Sequence, residues 1–174
     1  SRSVRIIGES LVYFFSRALF DNILSRRRFS TTVSYIVRNK LVPVFIDVKE
    51  STYCINEDLI EKAITKKTKA IIAPHLIGNL VNWNNIYKKL KKKKIVIIED
   101  SADTLGARYK NKSISEHTDV SITSFYGSHI INCAGNGGMV CFNNKKLYTK
   151  AKLLRSWGRS SSLFDEKSEK IENR

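Results

Sequence analysis

The chain has 174 residues, 42% of them apolar, enough for about one domain with a single core. Lys and Arg number 31 against 16 Asp and Glu, a formal charge of +15, so a nucleic-acid partner has to be weighed. Three cysteines, Cys54, Cys133 and Cys141, are odd in number and lack metal-type spacing, which argues against a disulfide framework and for a reducing compartment.

Residues 1–28 carry the weakest pattern. Leu11, Phe14, Phe15, Ala18 and Leu19 allow a helical stripe, which Arg26-Arg-Arg28 ends without a cap. The apolar run Leu11 to Phe15 is too short for a membrane span and Arg17 interrupts its extension, so no membrane association and a cytoplasmic protein are expected. From Phe29 the periodicity tightens. Phe29, Val33, Ile36 and Val37 follow helical spacing behind Ser30 as a cap. Val42 to Val48 reads as a strand. Asn56 caps a helix with Leu59, Ile60, Ala63 and Ile64 on one face, ending near Thr65. Ala70 to Ala73 is a buried strand, Trp83, Ile86, Tyr87 and Leu90 mark a helix, and Ile95 to Ile98 form the next strand. The run Lys88-Lys-Leu-Lys-Lys-Lys-Lys94 falls where that helix ends, where cations complement its dipole, and reads as a solvated face. Val120 to Ser124 and Met139 to Phe142 are strands, and a helix carrying Leu147, Ala151 and Leu154 begins near Asn144. After Trp157 the chain turns polar, with Ser160-Ser-Ser162 in a loop. Strands alternating with helices predict an α/β fold, a mostly parallel sheet flanked by helices.

Two stretches carry chemistry. Lys94-Ile-Val-Ile-Ile-Glu-Asp100 is an apolar run suited to a strand buried on both faces, ending in two carboxylates. In open α/β sheets the ligand crevice lies beyond the carboxyl ends of the strands, which puts Asp100 at the ligand edge and Glu99 on the opposite face. Between the strands at Val120 and Met139 lies a loop with Ser124, Ser128, His129, Gly135, Gly137 and Gly138. Small residues let a backbone approach a ligand, and hydroxyls with N–H groups can hold a phosphate; an ordinary hairpin loop has the same glycine content.

Ile98-Glu-Asp-Ser-Ala-Asp-Thr-Leu-Gly106, followed by Ser124-Phe-Tyr-Gly-Ser-His129 and Gly137-Gly138, resembles the sugar aminotransferase and dehydrase family of pyridoxal-phosphate (PLP) proteins. Pro43-Val-Phe-Ile-Asp-Val48, Thr68-Lys-Ala-Ile-Ile72, His75-Leu-Ile-Gly-Asn79 and Leu154-Arg-Ser-Trp-Gly-Arg159 extend the resemblance over about residues 29–160. It implies the aspartate-aminotransferase fold (fold type I). The domain organisation it implies is an unassigned segment 1–28, part of a PLP-binding large domain over 29–160, and a polar tail 161–174 leading toward a small domain.

The resemblance also implies roles. Asp100 matches the carboxylate that keeps the pyridine nitrogen protonated, so that the ring can absorb the electrons of a developing carbanion; the alternative is a helix cap. Ser124 matches a serine near the phosphate, or is a strand-end hydroxyl. Asp103 stands where many relatives carry glutamine or histidine near the cofactor's phenolic oxygen, and a carboxylate there needs a protonated partner. Phe29 resembles the aromatic that stacks on the pyridine face, or is a core residue. His75 is expected to be a hydrogen-bonded turn residue. In most of the family the position of His129 is a lysine joined covalently to PLP. Histidine there looks like the branch that removes the 3-hydroxyl from 4-keto-6-deoxy sugars, using the pyridoxamine form (PMP) with the histidine as general base. Ala102 and Ser160-Ser-Ser162 stand where some dehydrases have iron–sulfur cysteines, so no metal cluster is expected.

These features predict a PLP/PMP-dependent enzyme acting on a nucleotide-linked 4-keto-6-deoxy sugar in lipopolysaccharide or deoxysugar synthesis, working as a homodimer. The alternatives are a nucleotide-sugar aminotransferase-like protein, a basic nucleic-acid-binding α/β module, and a non-catalytic partner of a complete chain.

Overall fold

Val96–Asp100 is the middle strand of a seven-stranded sheet and sets the frame for everything around it. The computed structural model describes residues 2–4, 21–25, 30–90, 93–134 and 137–163. In chain order these give β1 (Arg2–Val4), β2 (Asp21–Ser25), α1 (Ser30–Arg38), β3 (Val42–Ile46), α2 (Ile60–Ala63), β4 (Ala70–Pro74), α3 (Trp83–Leu90), β5 (Val96–Asp100), a small hairpin β6 (Arg108–Tyr109) and β7 (Lys112–Ser113), β8 (Val120–Ser124), β9 (Gly138–Phe142) and α4 (Lys145–Arg155). The sheet order is β1-β9-β8-β5-β4-β2-β3. The pairs β3–β2, β2–β4, β4–β5 and β5–β8 are parallel, and β9 runs antiparallel to both β8 and β1. Two strands therefore come from the first 28 residues, and β2 lies between β3 and β4. The helical stripe read at Leu11–Leu19 lies outside the described residues.

Strand β5 is buried on both faces, as its apolar run demands. Ile97, with Ile71 and Ala73 of β4, packs on Ile60 of α2 and on Trp83, Ile86 and Leu90 of α3. On the other face Ala70, Ile98 and Val120 meet Val140 and Phe142 of β9 and Ala151 of α4, while Ile36 and Leu41 close over Ile72. Each fully buried aliphatic side chain here contributes about 1.5–3 kcal/mol.

Local signals account for the element ends. Asn144 caps α4, its side chain accepting from the N–H groups of Lys146 (2.9 Å) and Leu147 (3.2 Å). Asn56 caps as expected, accepting from the N–H of Asp58, but the chain first makes a 3-10 turn, Glu57–Leu59, and α2 stops at Ala63. Strand β3 ends at Ile46, and Val48 makes only a bridge to Ile55. Ser160–Leu163, read as loop, is a 3-10 turn. Lys88 and Lys89 occupy the last turn of α3, and Lys91 and Lys92 lie outside the described residues.

Candidate active site

The carboxyl ends of β5 and β8 carry the residues singled out from the sequence. In the parallel register Asp100 stands opposite Ile122, so Asp100, Ile122 and Ser124 share one face of the sheet. One strand spacing across and two residues along put Asp100 and Ser124 about 8 Å apart along the backbone. The Asp100 carboxylate accepts the N–H of Ala102 through Oδ1 at 3.1 Å, and its carbonyl accepts the N–H of His75 at 3.0 Å. It lines a small hollow with Thr32 of α1, Pro74, His75, Ala102 and Asp103. Sequence reasoning had not singled out Thr32. Phe29 lies outside the described residues.

Beyond β8 the chain makes a tight loop. The Ser124 hydroxyl accepts the N–H of Tyr126 at 3.2 Å, which leaves its own proton to donate outward. The N–H of His129 reaches the carbonyl of Tyr126 at 3.0 Å, and the two rings meet edge to face with centroids 6.3 Å apart. This turn sets the mostly buried imidazole of His129 beside Asp103, with Nδ1 3.8 Å from Oδ1. The side chain that the fold brings nearest to the carboxylate at position 103 in this loop is thus the His129 imidazole. Their approach spans the β6–β7 hairpin and all of β8, and no local pattern announces it.

Gly137, in the loop, and Gly138, the first residue of β9, are packed closely against protein atoms. A Cβ on Gly137 would sit 3.0 Å from the Cβ of Cys133, and one on Gly138 would sit 3.2 Å from the backbone oxygen of Thr123. Gly135 lies outside the described residues.

Two wider hollows lie at the other edge of the sheet, where β4 and β5 begin. One has Tyr87, Leu90, Lys93 and Asp119 in its lining, the other Lys66, Thr68, Lys69 and Lys94. In parallel α/β sheets ligand chemistry sits at the carboxyl edge, and the carboxylates and His129 are gathered there.

A run of parallel strands closed by one antiparallel β9, with helices on both faces, is the large-domain architecture of the PLP-dependent transferases of fold type I. Within that class the chain belongs to the DegT/DnrJ/EryC1/StrS aminotransferase family, whose profile matches residues 22–172. The match takes in all of β2 but Asp21, a strand that the motifs from Phe29 onward did not reach. The chain is 38% identical over 131 residues to the lipopolysaccharide biosynthesis protein RfbH of Salmonella typhimurium, covering 75% of this chain and 30% of that protein. It is 36% identical over 131 residues to a dTDP-4-dehydro-2,6-dideoxy-D-glucose 3-dehydratase of Saccharopolyspora spinosa, covering 75% of this chain and 28% of the relative. Among solved structures it superposes on the E. coli GDP-4-keto-6-deoxy-D-mannose-3-dehydratase with bound hydrated PLP. There the TM-score is 0.75 and the identity 25%, over 85% of this chain and 41% of the other. The chain thus spans about a third of the curated relatives it matches.

Proposed function

We propose that this chain carries the cofactor-binding core of a PLP/PMP-dependent enzyme that removes the 3-hydroxyl from a nucleotide-linked 4-keto-6-deoxy sugar. The product would serve deoxysugar or lipopolysaccharide synthesis, in a cytoplasmic homodimer. The observation that carries this reading is His129, where most of the family has the cofactor lysine, in contact with Asp103. The kinship with 3-dehydratases supports it. No helix among the described residues is long and apolar enough to cross a membrane.

The residues present fit the cofactor at both ends. Asp100 offers a carboxylate to a ring N–H from the wall of the hollow, and Ser124 offers a hydroxyl on the same face. A bound cofactor would supply an electron sink, a protonated pyridine ring able to stabilise negative charge developing beside it during loss of the 3-hydroxyl. Asp100 would keep the pyridine nitrogen protonated by accepting its N–H. Nδ1 of His129 faces Asp103, so Nε2 is the nitrogen presented to take the methylene proton. The Asp103 carboxylate stabilises the imidazolium that results, as in other Asp–His pairs. Asp103 is about one-third exposed, so that help is worth about 1 kcal/mol or less, a factor of about five in rate.

The test is turnover of a nucleotide-linked 4-keto-6-deoxy sugar by the full chain charged with PMP. His129→Asn should lower 3-hydroxyl loss by about a hundredfold or more, the share of a general base, with cofactor affinity retained. Dehydration at full rate by His129→Asn would refute the role, and amino transfer by the wild type in place of hydroxyl loss would establish the aminotransferase reading.

A further inference from the structure

Behind Asp100, on the opposite face of the sheet, a chain of buried polar groups crosses three strands. His75 follows β4, Glu99 lies in β5 and Ser121 in β8, with 1%, 0% and 7% of their surfaces exposed. The N–H of Val81 donates to Nδ1 of His75 at 3.0 Å, so the ring proton sits on Nε2. Nε2 meets Oε2 of Glu99 at 3.2 Å, and the Ser121 hydroxyl donates to the remaining carboxylate oxygen, Oε1. Trp83 braces the imidazole edge to face, with centroids 5.4 Å apart. None of these groups has a task in the chemistry above.

The surroundings make the arrangement informative. Ala73, Ile97, Val81 and Trp83 form an apolar layer around it. A hydrogen-bonded polar group in such a layer is often no more stabilising than a well-packed apolar replacement, and in some proteins such a group instead fixes one arrangement of its surroundings. What it fixes here can be read from the ladder. Glu99 precedes Asp100, Ser121 lies opposite Glu99, and Ser124 ends the same strand as Ser121. His75 is tied to the same place twice, by its ring to Glu99 and by its backbone N–H to the carbonyl of Asp100.

We propose that His75, Glu99 and Ser121 are positioning residues. Their hydrogen-bonded chain clamps the ends of β4, β5 and β8 and so sets the spacing between Asp100, at the ring end of the cofactor, and Ser124, at the phosphate end. The inference rests on the cofactor reading above and adds a consequence of its own. A ligand engaging both ends gains from their fixed separation, as any two-point ligand does, whereas a ligand engaging the ring end alone does not.

The experiment compares PMP with pyridoxamine, which lacks the phosphate, by fluorescence titration of the full chain. Ser121→Ala opens the β5–β8 arm and should weaken PMP about tenfold while pyridoxamine stays within about twofold. Glu99→Gln should keep the wild-type ratio, because its amide oxygen still accepts from His75 and its NH2 donates to a Ser121 hydroxyl turned round. Should Ser121→Ala not fold, Ser121→Cys, with its weak S–H donor, should give a smaller drop in the same ratio. An unchanged ratio in the Ser121 variant, or an equal loss for both ligands, overturns the proposal and leaves the cofactor reading standing. A wild type that binds neither ligand overturns both.

Discussion

Glycine at 138 is a test of what the loop's small residues are for. Replacing Gly138 with alanine places a Cβ 3.2 Å from the backbone oxygen of Thr123, closer than an ordinary van der Waals contact, and that oxygen belongs to β8 rather than to a flexible side chain. The strands must part by a few tenths of an ångström where Ser124 pairs with Gly138. Overpacking of this kind costs about 1–3 kcal/mol, and a single tight contact falls at the lower end of that range. Alanine also restricts the unfolded chain, which returns about 0.4–1 kcal/mol. The strain wins by at most roughly 0.6 kcal/mol, a fall in Tm of no more than about 2 °C for a chain of this size. Gly127→Ala is the internal control. Nothing lies within 4 Å of its Cβ and its φ is not positive, so only the unfolded-state term acts and Tm should hold or rise. Thermal unfolding of the two variants beside wild type decides the matter. If Gly138→Ala is as stable as Gly127→Ala but loses PMP affinity, the close approach is to a ligand and not to Thr123, and the reasoning fails.

The phenol of Tyr87 is pushed up to about 12 by burial and then by the carboxylates of Asp119 and Glu99, while its hydroxyl donates to the carbonyl of His117. The unfolded phenol ionises near 10, so the unfolded state loses its proton first; stability should be intact below pH 10 and fall between about pH 10 and 12. Tyr87→Phe should lack that share of the alkaline loss in denaturant titrations, and an identical profile would remove Tyr87 as its source. Replacing the exposed pair Lys93 and Lys94 with glutamine should change stability and cofactor affinity by no more than a few tenths of a kcal/mol. Abolition of a salt-dependent oligonucleotide shift by that change would instead favour a nucleic-acid-binding role.

Legibility of the fold followed the strength of local signals. Helices α1, α3 and α4 carry amphipathic spacing, α4 is also capped by Asn144, and β5 is an uninterrupted apolar run, so each could be read directly. Strand β2 could not: Asp21-Asn-Ile-Leu-Ser25 holds two apolar residues, and it becomes a strand because β3 and β4 pair with it on either side. The β6–β7 hairpin was also silent, because its turn uses Lys110 and Asn111 at positive φ (50° and 63°) where an Asn-Gly pair would have announced it. The places of Asp100 and Ser124, at the carboxyl ends of β5 and β8, followed from the strand pattern. The Asp103–His129 contact and the burial of His75 against Glu99 did not, because both are made by residues distant in sequence that only the sheet brings together.

The central claim is that His129 stands where a cofactor lysine would be, and trapping with borohydride addresses it most directly. The full chain is incubated with PLP, reduced with borohydride, digested and mapped by mass spectrometry, with dialysis of an unreduced sample in parallel. The account predicts no reduced cofactor on any lysine of the chain, complete release of PLP on dialysis, and a trapped adduct only in His129→Lys. A wild-type chain that retains PLP covalently through one of its own lysines contradicts it.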